Sequence, residues 1–314
     1  MELCCIVIPF PVCYHEPMGF LCNVEEVIMK RKKQLKELTL KDNFMFGAVM
    51  MEEENCRRFL EMALGFTIER VEVSKEKSIV YHPEYKGVRL DVYARDEKNT
   101  RYNVEMQVAK KQELGKRVRY YHGQIDMELL LSGSDYTELP DVYVIFICDF
   151  DPFGKKKYRY TFTRQCEEDQ KILLEEGCKS IFLSTAGENV SEVPKELVKF
   201  LNFVKADLSE SESDFEDDFV EKLQETIRRI KTNREMEERF MIFEEMLRDE
   251  RAEGKAEGLT ESKIEDIFGF LEELGEIPEN LRSRISDEKD LELLKKWLKL
   301  AAKSDTMEEF LKRM

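Results

Sequence analysis

The 314-residue sequence predicts an α/β protein with a mixed sheet, followed by a helical C-terminal extension. Residues 88–95 and 101–109 alternate apolar and polar side chains, as two half-buried strands of a hairpin do. Residues 141–150 are almost all apolar, which is typical of a strand buried on both faces. Beyond residue 219, apolar residues recur every three or four positions, which indicates helices.

Helices and one strand are predicted before the hairpin. Residues 30–40 have the pattern of a basic helix, and Asp42 is the expected N-cap of the following segment NFMFGAVMM. Residues 53–64 place apolar side chains on one face, with Gly65 as the stop signal. The next stretch, TIERVEV, alternates with a period of two, so we expect the first strand there.

Further elements follow the hairpin. Residues 112–131 have helical spacing, so the order of elements is helix, three strands, helix and strand, an α/β core with a mixed sheet. Strands at residues 158–163 and 180–183 and a helix at residues 194–204 are expected to extend this core.

The sequence divides into four regions. Residues 1–29 form an irregular N-terminal extension, 30–205 the α/β domain, 206–219 an acidic linker and 220–314 a helical region. The helical region opens with two apolar stripes, which are expected to pair within one chain or between the two chains of a homodimer. The stripes consist of Val220, Leu223, Ile227 and Ile230, and of Met236, Phe240, Phe243 and Leu247.

Charge and cysteine content narrow the setting. Of the net charge of −16, little lies in the first 205 residues, which hold 31 basic and 34 acidic residues; the remainder holds 19 and 32. The α/β domain can therefore carry a local basic surface. Eight cysteines without a secretory signal fit the reducing cytoplasm, and the N-terminal stretch is too interrupted by proline to span a membrane.

The N-terminal extension admits two further interpretations. Cys13, His15 and Cys22 could form a zinc site, although they lack a CxxC spacing, and an irregular segment is the expected alternative. Translation could also start at Met29, where MKRKKQLKEL opens a helix. The mass of the natively expressed protein distinguishes the two starts.

The hairpin carries the candidate site. If it closes around Lys98, Asp91 lies opposite Glu105, and Arg89 lies opposite Gln107 on the same face. Opposed carboxylates repel by up to roughly 1 kcal/mol, so water or a cation must separate them. The apolar side chains of the first strand are expected to share the other face: Val88, Leu90, Val92 and Ala94.

Two interpretations of the opposed acids remain open. The first is a solvated polar face on which Arg89 pairs with one of the acids. The second is a site for a hard divalent cation, because Mg²⁺ commonly takes one or two carboxylates, keeps several waters and accepts a phosphate oxygen. Such an ion activates water and stabilises the charge that develops during phosphodiester cleavage.

A set of ordered motifs gives the chain a family resemblance. Five stretches carry this resemblance, in this order: LKDNFMFGAVM, GVRLDVYARD, YNVEMQ, KRVRYYHGQID and LPDVYVIFICDFDPFG. With these neighbours, an Asp on one strand and Glu-x-Gln on the next, the chain resembles the bacterial PD-(D/E)XK nuclease-family transposases, also called recombination-promoting nucleases. The likeness covers roughly residues 30–205 and implies a restriction-endonuclease-like core.

The resemblance implies roles for three residues. Asp91 and Glu105 stand at the positions of the two metal-holding acids, and Gln107 stands where the superfamily has Lys. Gln is usual in this branch, but an amide orients water or phosphate only by hydrogen bonds and adds no positive charge. A helix acid is often an additional ligand, and Glu61 is the first candidate, with Glu53 and Glu54 as rivals.

Basic residues after the hairpin are the candidates for the missing charge and for contact with substrate phosphates. Residues 110–122 hold five basic side chains and one acidic one. Phosphate binding and an ordinary solvated helix face are both open. The candidates are Lys110, Lys111, Arg117 and Arg119.

The resemblance therefore implies a Mg²⁺-dependent DNA endonuclease, with Mn²⁺ as a substitute, acting in the bacterial cytoplasm in recombination or on mobile elements. Two alternatives remain: a catalytically weak nuclease-fold protein that acts as an interaction module through its acidic helical tail, and a nuclease that cuts RNA. The target sequence is not predicted.

Overall fold

The computed structural model of the chain describes residues 33–79, 87–110 and 112–314, except for the side chains of Lys75 and Glu76. The N-terminal extension with its zinc and start-site alternatives lies outside the described residues, as does Lys111. Residues from Gln34 to Met314 form one compact unit. The predicted α/β core with a mixed sheet and a helical C-terminal extension is confirmed.

The sheet is mixed and has six strands. The strands are β1 (Val71–Ile79), β2 (Val88–Asp96), β3 (Arg101–Gln107), β4 (Val142–Cys148), β5 (Arg159–Phe162) and β6 (Cys178–Ser184). Their order across the sheet is β1-β2-β3-β4-β6-β5. The β3–β4 and β4–β6 pairs are parallel, and the other pairs are antiparallel.

Helices cover both faces of the sheet and form the C-terminal part. They are α1 (Asn43–Met50), α2 (Glu53–Leu64), α3 (Leu114–Leu129), α4 (Lys195–Lys205), α5 (Asp218–Thr232), α6 (Arg234–Leu274), α7 (Glu279–Ser286), α8 (Leu291–Ala301) and α9 (Met307–Arg313). The second helix ends at Gly65, whose φ of 81° is left-handed, as the sequence predicts.

Strand β4 is buried on both faces, as its apolar sequence predicts. Alternate residues of β4, such as Ile145 and Ile147, belong to a large core that also contains α1, α2, α4 and α5. The intervening residues, such as Val144 and Phe146, pack under α3. Because both faces of the sheet are covered, polar groups on its central strands are shielded from solvent.

The hairpin register is confirmed over its paired part, but the predicted alternation of β2 is wrong. Backbone pairing of β2 with β3 runs from Arg95–Arg101 to Val92–Val104. Val92 and Ala94 belong to the large core, whereas Val88 and Leu90 belong to the cluster under α3. The alternation therefore breaks around Asp91, where the backbone ladder to β3 stops.

The described part of the predicted basic helix, residues 33–40, contains a three-residue 3₁₀ turn, Leu35–Glu37, instead of an α-helix. Leu35, Leu38 and Leu40 are all buried, although their spacing does not follow one helical face. Asp42 precedes α1, but its carboxylate accepts the backbone N–H of Thr39 at 2.8 Å instead of capping the helix. Core packing and this local bond outweigh helical propensity here.

The acidic segment at residues 206–219 packs against the domain, in contrast to the linker that its charge predicts. Phe215 contacts the large core, and the ring centroids of Phe203 and Phe215 lie 5.3 Å apart. Gln224 of α5 donates to the carbonyls of Ser211 and Ser213, both at 2.8 Å. Phe219 and the α5 stripe belong to the same core as α2 and α4, so that core extends well past residue 205.

Truncating a buried side chain of α5 tests this packing. Leu223 is fully buried, so Leu223→Ala is expected to lower the free energy of unfolding by about 2–5 kcal/mol. Leu259 of α6 is 40% exposed, and Leu259→Ala is the matched control with an expected change of about 0.5 kcal/mol or less. Urea unfolding of both variants measures the difference, and equal midpoints would show that α5 is an appendage.

Residues 264–314 build a second, smaller core. The end of α6 packs with α7, α8 and α9 around Ile267, Leu294, Trp297 and Phe310. The two apolar stripes of α5 and α6 pack mainly on the first core, within one chain, so they leave no support for the predicted homodimer. Within the described residues, no helix is long and apolar enough to cross a membrane.

Candidate active site

Asp91 and Glu105 meet where the ladder between β2 and β3 opens. The backbone N–H of Asp91 donates to Oε1 of Glu105 at 3.2 Å, and the backbone N–H of Met106 donates to Oδ2 of Asp91 at 3.0 Å. Each carboxylate therefore accepts a strand N–H at the point where the backbone pairing ends. This exchange fixes both side chains without removing all of their lone pairs.

Glu105 is buried to an unusual degree for a carboxylate. Its side chain is 2% exposed, and this burial, followed by the negative charge of Asp91, raises its pKa to about 8, although Arg117 acts in the opposite direction. A buried carboxylate beside a second, half-buried one is unfavourable, because burial removes hydration and the two like charges repel each other. The geometry therefore favours a proton or a cation between the two acids.

Arg117 of α3 lies over this pair and connects it to Gln107. Its Nη2 contacts Oε2 of Glu105 at 3.0 Å, its Nη1 donates to Oε1 of Gln107 at 2.7 Å, and its Nε donates to the hydroxyl of Tyr121 at 2.8 Å. The guanidinium also lies 5.2 Å from the ring centroid of Phe146. These bonds hold a positive charge beside Gln107.

These groups open into one cleft of about 370 Å³. Asp91, Glu105, Gln107 and Arg117 line it on the sheet side. On the other side it is lined by three residues of α6 that come from the helical region. They are Phe243, Leu247 and Glu250.

The structure separates the predicted basic residues. Arg117 lines the cleft, whereas Lys110 is exposed past the end of β3 and Arg119 is exposed on α3; neither of the two lines the cleft. Lys111 is outside the described residues. Helical phase explains the difference between the two arginines, because residues two apart on a helix point in different directions.

The predicted helix acid is engaged elsewhere. Glu61 accepts the backbone N–H of Ile68 at 2.8 Å and pairs with Arg57 at 2.9 Å, so it ties α2 to the start of β1. Glu54 also pairs with Arg57, and neither Glu54 nor Glu53 lines the cleft. The acid that does reach the cleft from a helix is Glu250, which pairs with Arg89 at 3.0 Å.

Sequence reasoning missed Tyr121 and the α6 residues as members of the site. Tyr121 fits the apolar stripe of α3, but its hydroxyl also lies 3.4 Å from Oε2 of Glu105. A buried tyrosine hydroxyl needs a polar partner, and that requirement was the available signal. Glu250 is separated from Arg89 by 161 positions, and no local pattern reports such a contact.

A comparison with family models adds an independent observation. The model of the PD-(D/E)XK nuclease family transposases matches residues 41–257, more than half of the chain. The chain belongs to this family. The family match runs from α1 into the middle of α6, so it includes α5 and the first part of α6, which the sequence assigns to a separate helical region. No curated protein and no solved structure matches the chain.

PD-(D/E)XK nucleases generally use divalent metal ions, and the donor set in the cleft fits such an ion. Within residues 33–79, 87–110 and 112–314, no group of three or more His, Cys, Asp or Glu side chains could hold a metal. Mg²⁺ nevertheless commonly takes only one or two carboxylates from a protein, and water and substrate oxygens complete its shell. Asp91 and Glu105 supply two. Their oxygens are hard ligands, which excludes a preference for soft metals.

The raised pKa of Glu105 predicts how stability depends on pH in the metal-free protein. Because its pKa rises from 4.5 to about 8 on folding, the folded chain holds this proton more tightly than the unfolded chain. The free energy of unfolding should therefore fall as the pH rises through this interval, by about 1.4 kcal/mol for each unit of effective shift. Glu105→Gln should remove this loss.

Urea unfolding in EDTA between pH 5 and pH 8.5, taken as wild type minus Glu105→Gln, isolates this contribution. His122, whose pKa burial lowers to about 4, has the opposite slope but is common to both proteins. A difference that does not vary with pH would contradict the burial argument.

Proposed function

We propose that the chain is a divalent-metal-dependent endonuclease that hydrolyses DNA phosphodiester bonds, in recombination or on mobile elements and in the bacterial cytoplasm. The observation that carries the proposal is the pairing of Asp91 with a buried Glu105 at the open end of the β2–β3 ladder. Family membership supports a nuclease or transposase-related function in general.

The proposed roles follow from the contacts. Asp91 and Glu105 would hold Mg²⁺, or Mn²⁺ as its substitute, and the bound ion would act as a Lewis acid toward water and the phosphate. Gln107 donates to the carbonyl of Ala109 at 2.6 Å, and its Oε1 accepts from Arg117, so its amide is fixed in one orientation. Arg117 supplies the positive charge that the superfamily takes from Lys, and its bond to Glu105 favours the ionised, metal-holding form of that acid.

A cleavage assay tests the proposal. The full chain should nick supercoiled plasmid DNA with Mg²⁺ or Mn²⁺ and should not do so in EDTA. A single-stranded RNA and a DNA of the same sequence, run in parallel, distinguish the two polymers. Absence of cutting of either polymer with either metal would refute the nuclease and favour an interaction module.

A further inference from the structure

Arg89 brings a second positive charge into the cleft. It lies on β2 two residues before Asp91, and both residues line the cleft. Two residues of a strand cover about 7 Å, so one extended phosphodiester chain can contact both positions. The Arg89 side chain is 29% exposed, which leaves its guanidinium within reach of a ligand in the cleft.

Arg117 also lines the cleft, but it is less suited than Arg89 to bind a phosphate. Its Nε, Nη1 and Nη2 all contact protein groups, namely Tyr121, Gln107 and Glu105. Moving this guanidinium would leave the buried Glu105 without its cation. Substrate contact and support of the metal-holding acid are therefore divided between two arginines.

One partner of Arg89 is a carboxylate on α6. Nη1 of Arg89 lies 3.0 Å from Oε1 of Glu250, and the guanidinium is 5.6 Å from the ring centroid of Phe243. A carboxylate and a phosphodiester present similar oxygen pairs to the planar fork of an arginine. Glu250 thus occupies a place that a backbone phosphate would fit.

The Glu250 contact can be exchanged at little cost. Glu250 is 57% exposed, and half-exposed ion pairs contribute little to stability. Helix α6 is anchored nearer its N-terminus. There the ring centroids of Phe240 and Phe243 lie 5.1 and 5.5 Å from that of Phe44 in α1. The Glu250 side chain can therefore turn away from Arg89 without disturbing the core.

We propose that Arg89 binds a DNA phosphate adjacent to the one that is cut, and that Glu250 competes with DNA for Arg89 in the free protein. The inference rests on the proposed nuclease function. It assigns to α6 the role of an internal competitor that limits binding to bulk DNA.

Equilibrium binding of the full chain to a fluorescent 20-base-pair duplex in Ca²⁺ tests the inference. Glu250→Gln should tighten binding by up to about five-fold, the equivalent of about 1 kcal/mol. Glu253→Gln is the matched control, because it removes the same charge one turn further along the exposed part of α6. Arg89→Gln should weaken binding and lower the slope of log K against log salt by about one.

The double variant Arg89→Gln/Glu250→Gln completes the cycle. If Glu250 acts through Arg89, the double variant should bind no tighter than Arg89→Gln. Equal tightening by Glu250→Gln and Glu253→Gln, or tightening by Glu250→Gln that persists without Arg89, would overturn the inference while the nuclease proposal stands. Failure of the wild type to bind DNA at all would overturn both.

Discussion

Asp91→Asn is expected to lower the rate of DNA cleavage by about 10³-fold or more, because several kcal/mol of charge stabilisation are lost with the cation. The amide keeps the size of the side chain and can still accept the backbone N–H of Met106, which Asp91 binds at 3.0 Å. The substitution removes one of the two carboxylates on which the proposed metal site depends. Plasmid nicking with Mg²⁺ under single-turnover conditions measures the loss.

The matched control is Asp287→Asn, an exposed aspartate at the end of α7, far along the chain from the cleft. It makes the same chemical change and should leave the nicking rate within about two-fold. Thermal unfolding of both variants establishes that they are folded. Nicking by Asp91→Asn at the wild-type rate would remove Asp91 from the site.

Arg117→Met is expected to lower the nicking rate by about 10²-fold or more, since it removes the charge beside Gln107 and the cation that pairs with the buried Glu105. Arg117 lowers the pKa of Glu105, so the loss of Arg117 should also shift the pH–rate profile of the remaining activity toward higher pH. Arg117→Lys keeps a charge but cannot bridge three partners, and it should fall between the wild type and the Met variant.

Arg119→Met serves as the control for the Arg117 variants. Arg119 lies two residues further along α3 and is exposed. Its substitution therefore removes the same charge without changing the contacts of Glu105. Its pH–rate profile should match that of the wild type. Equal losses in the Arg117 and Arg119 variants would mean that only the overall basic charge of α3 matters.

The proximity of Asp91 and Glu105 could be predicted from the sequence because it depends on local hairpin geometry. Alternation and the turn around Lys98 fix the register of β2 with β3, and the register from Val92–Val104 to Arg95–Arg101 agrees. The burial of Glu105 was not predictable in the same way, because it depends on α3 covering that face of the sheet and on β4 pairing with β3. The break in the alternation of β2 around Asp91 is not visible in the sequence either, because apolar residues keep a period of two from Val88 to Ala94.

The α6 wall of the cleft could not be predicted from sequence. The charged run at residues 206–219 has the composition of a linker, and the burial of Phe219 and the contacts of Phe215 show in the structure that it packs on the core. If that segment is taken as a linker, the positions of α5 and α6 relative to the site cannot be predicted. Glu61 failed as a ligand for a related reason, since its bond to the backbone of Ile68 is set by the loop after α2.

Calorimetric titration of the full chain with Mn²⁺ at pH 7 tests whether Asp91 and Glu105 together hold a divalent cation. We expect binding that is lost in Asp91→Asn and in Glu105→Gln and kept in Arg119→Met. Binding should also release a proton from Glu105, because burial raises the pKa of this carboxyl to about 8 in the metal-free chain. Mn²⁺ binding that persists unchanged in Glu105→Gln, or no binding by the wild type, would contradict the proposed cation site.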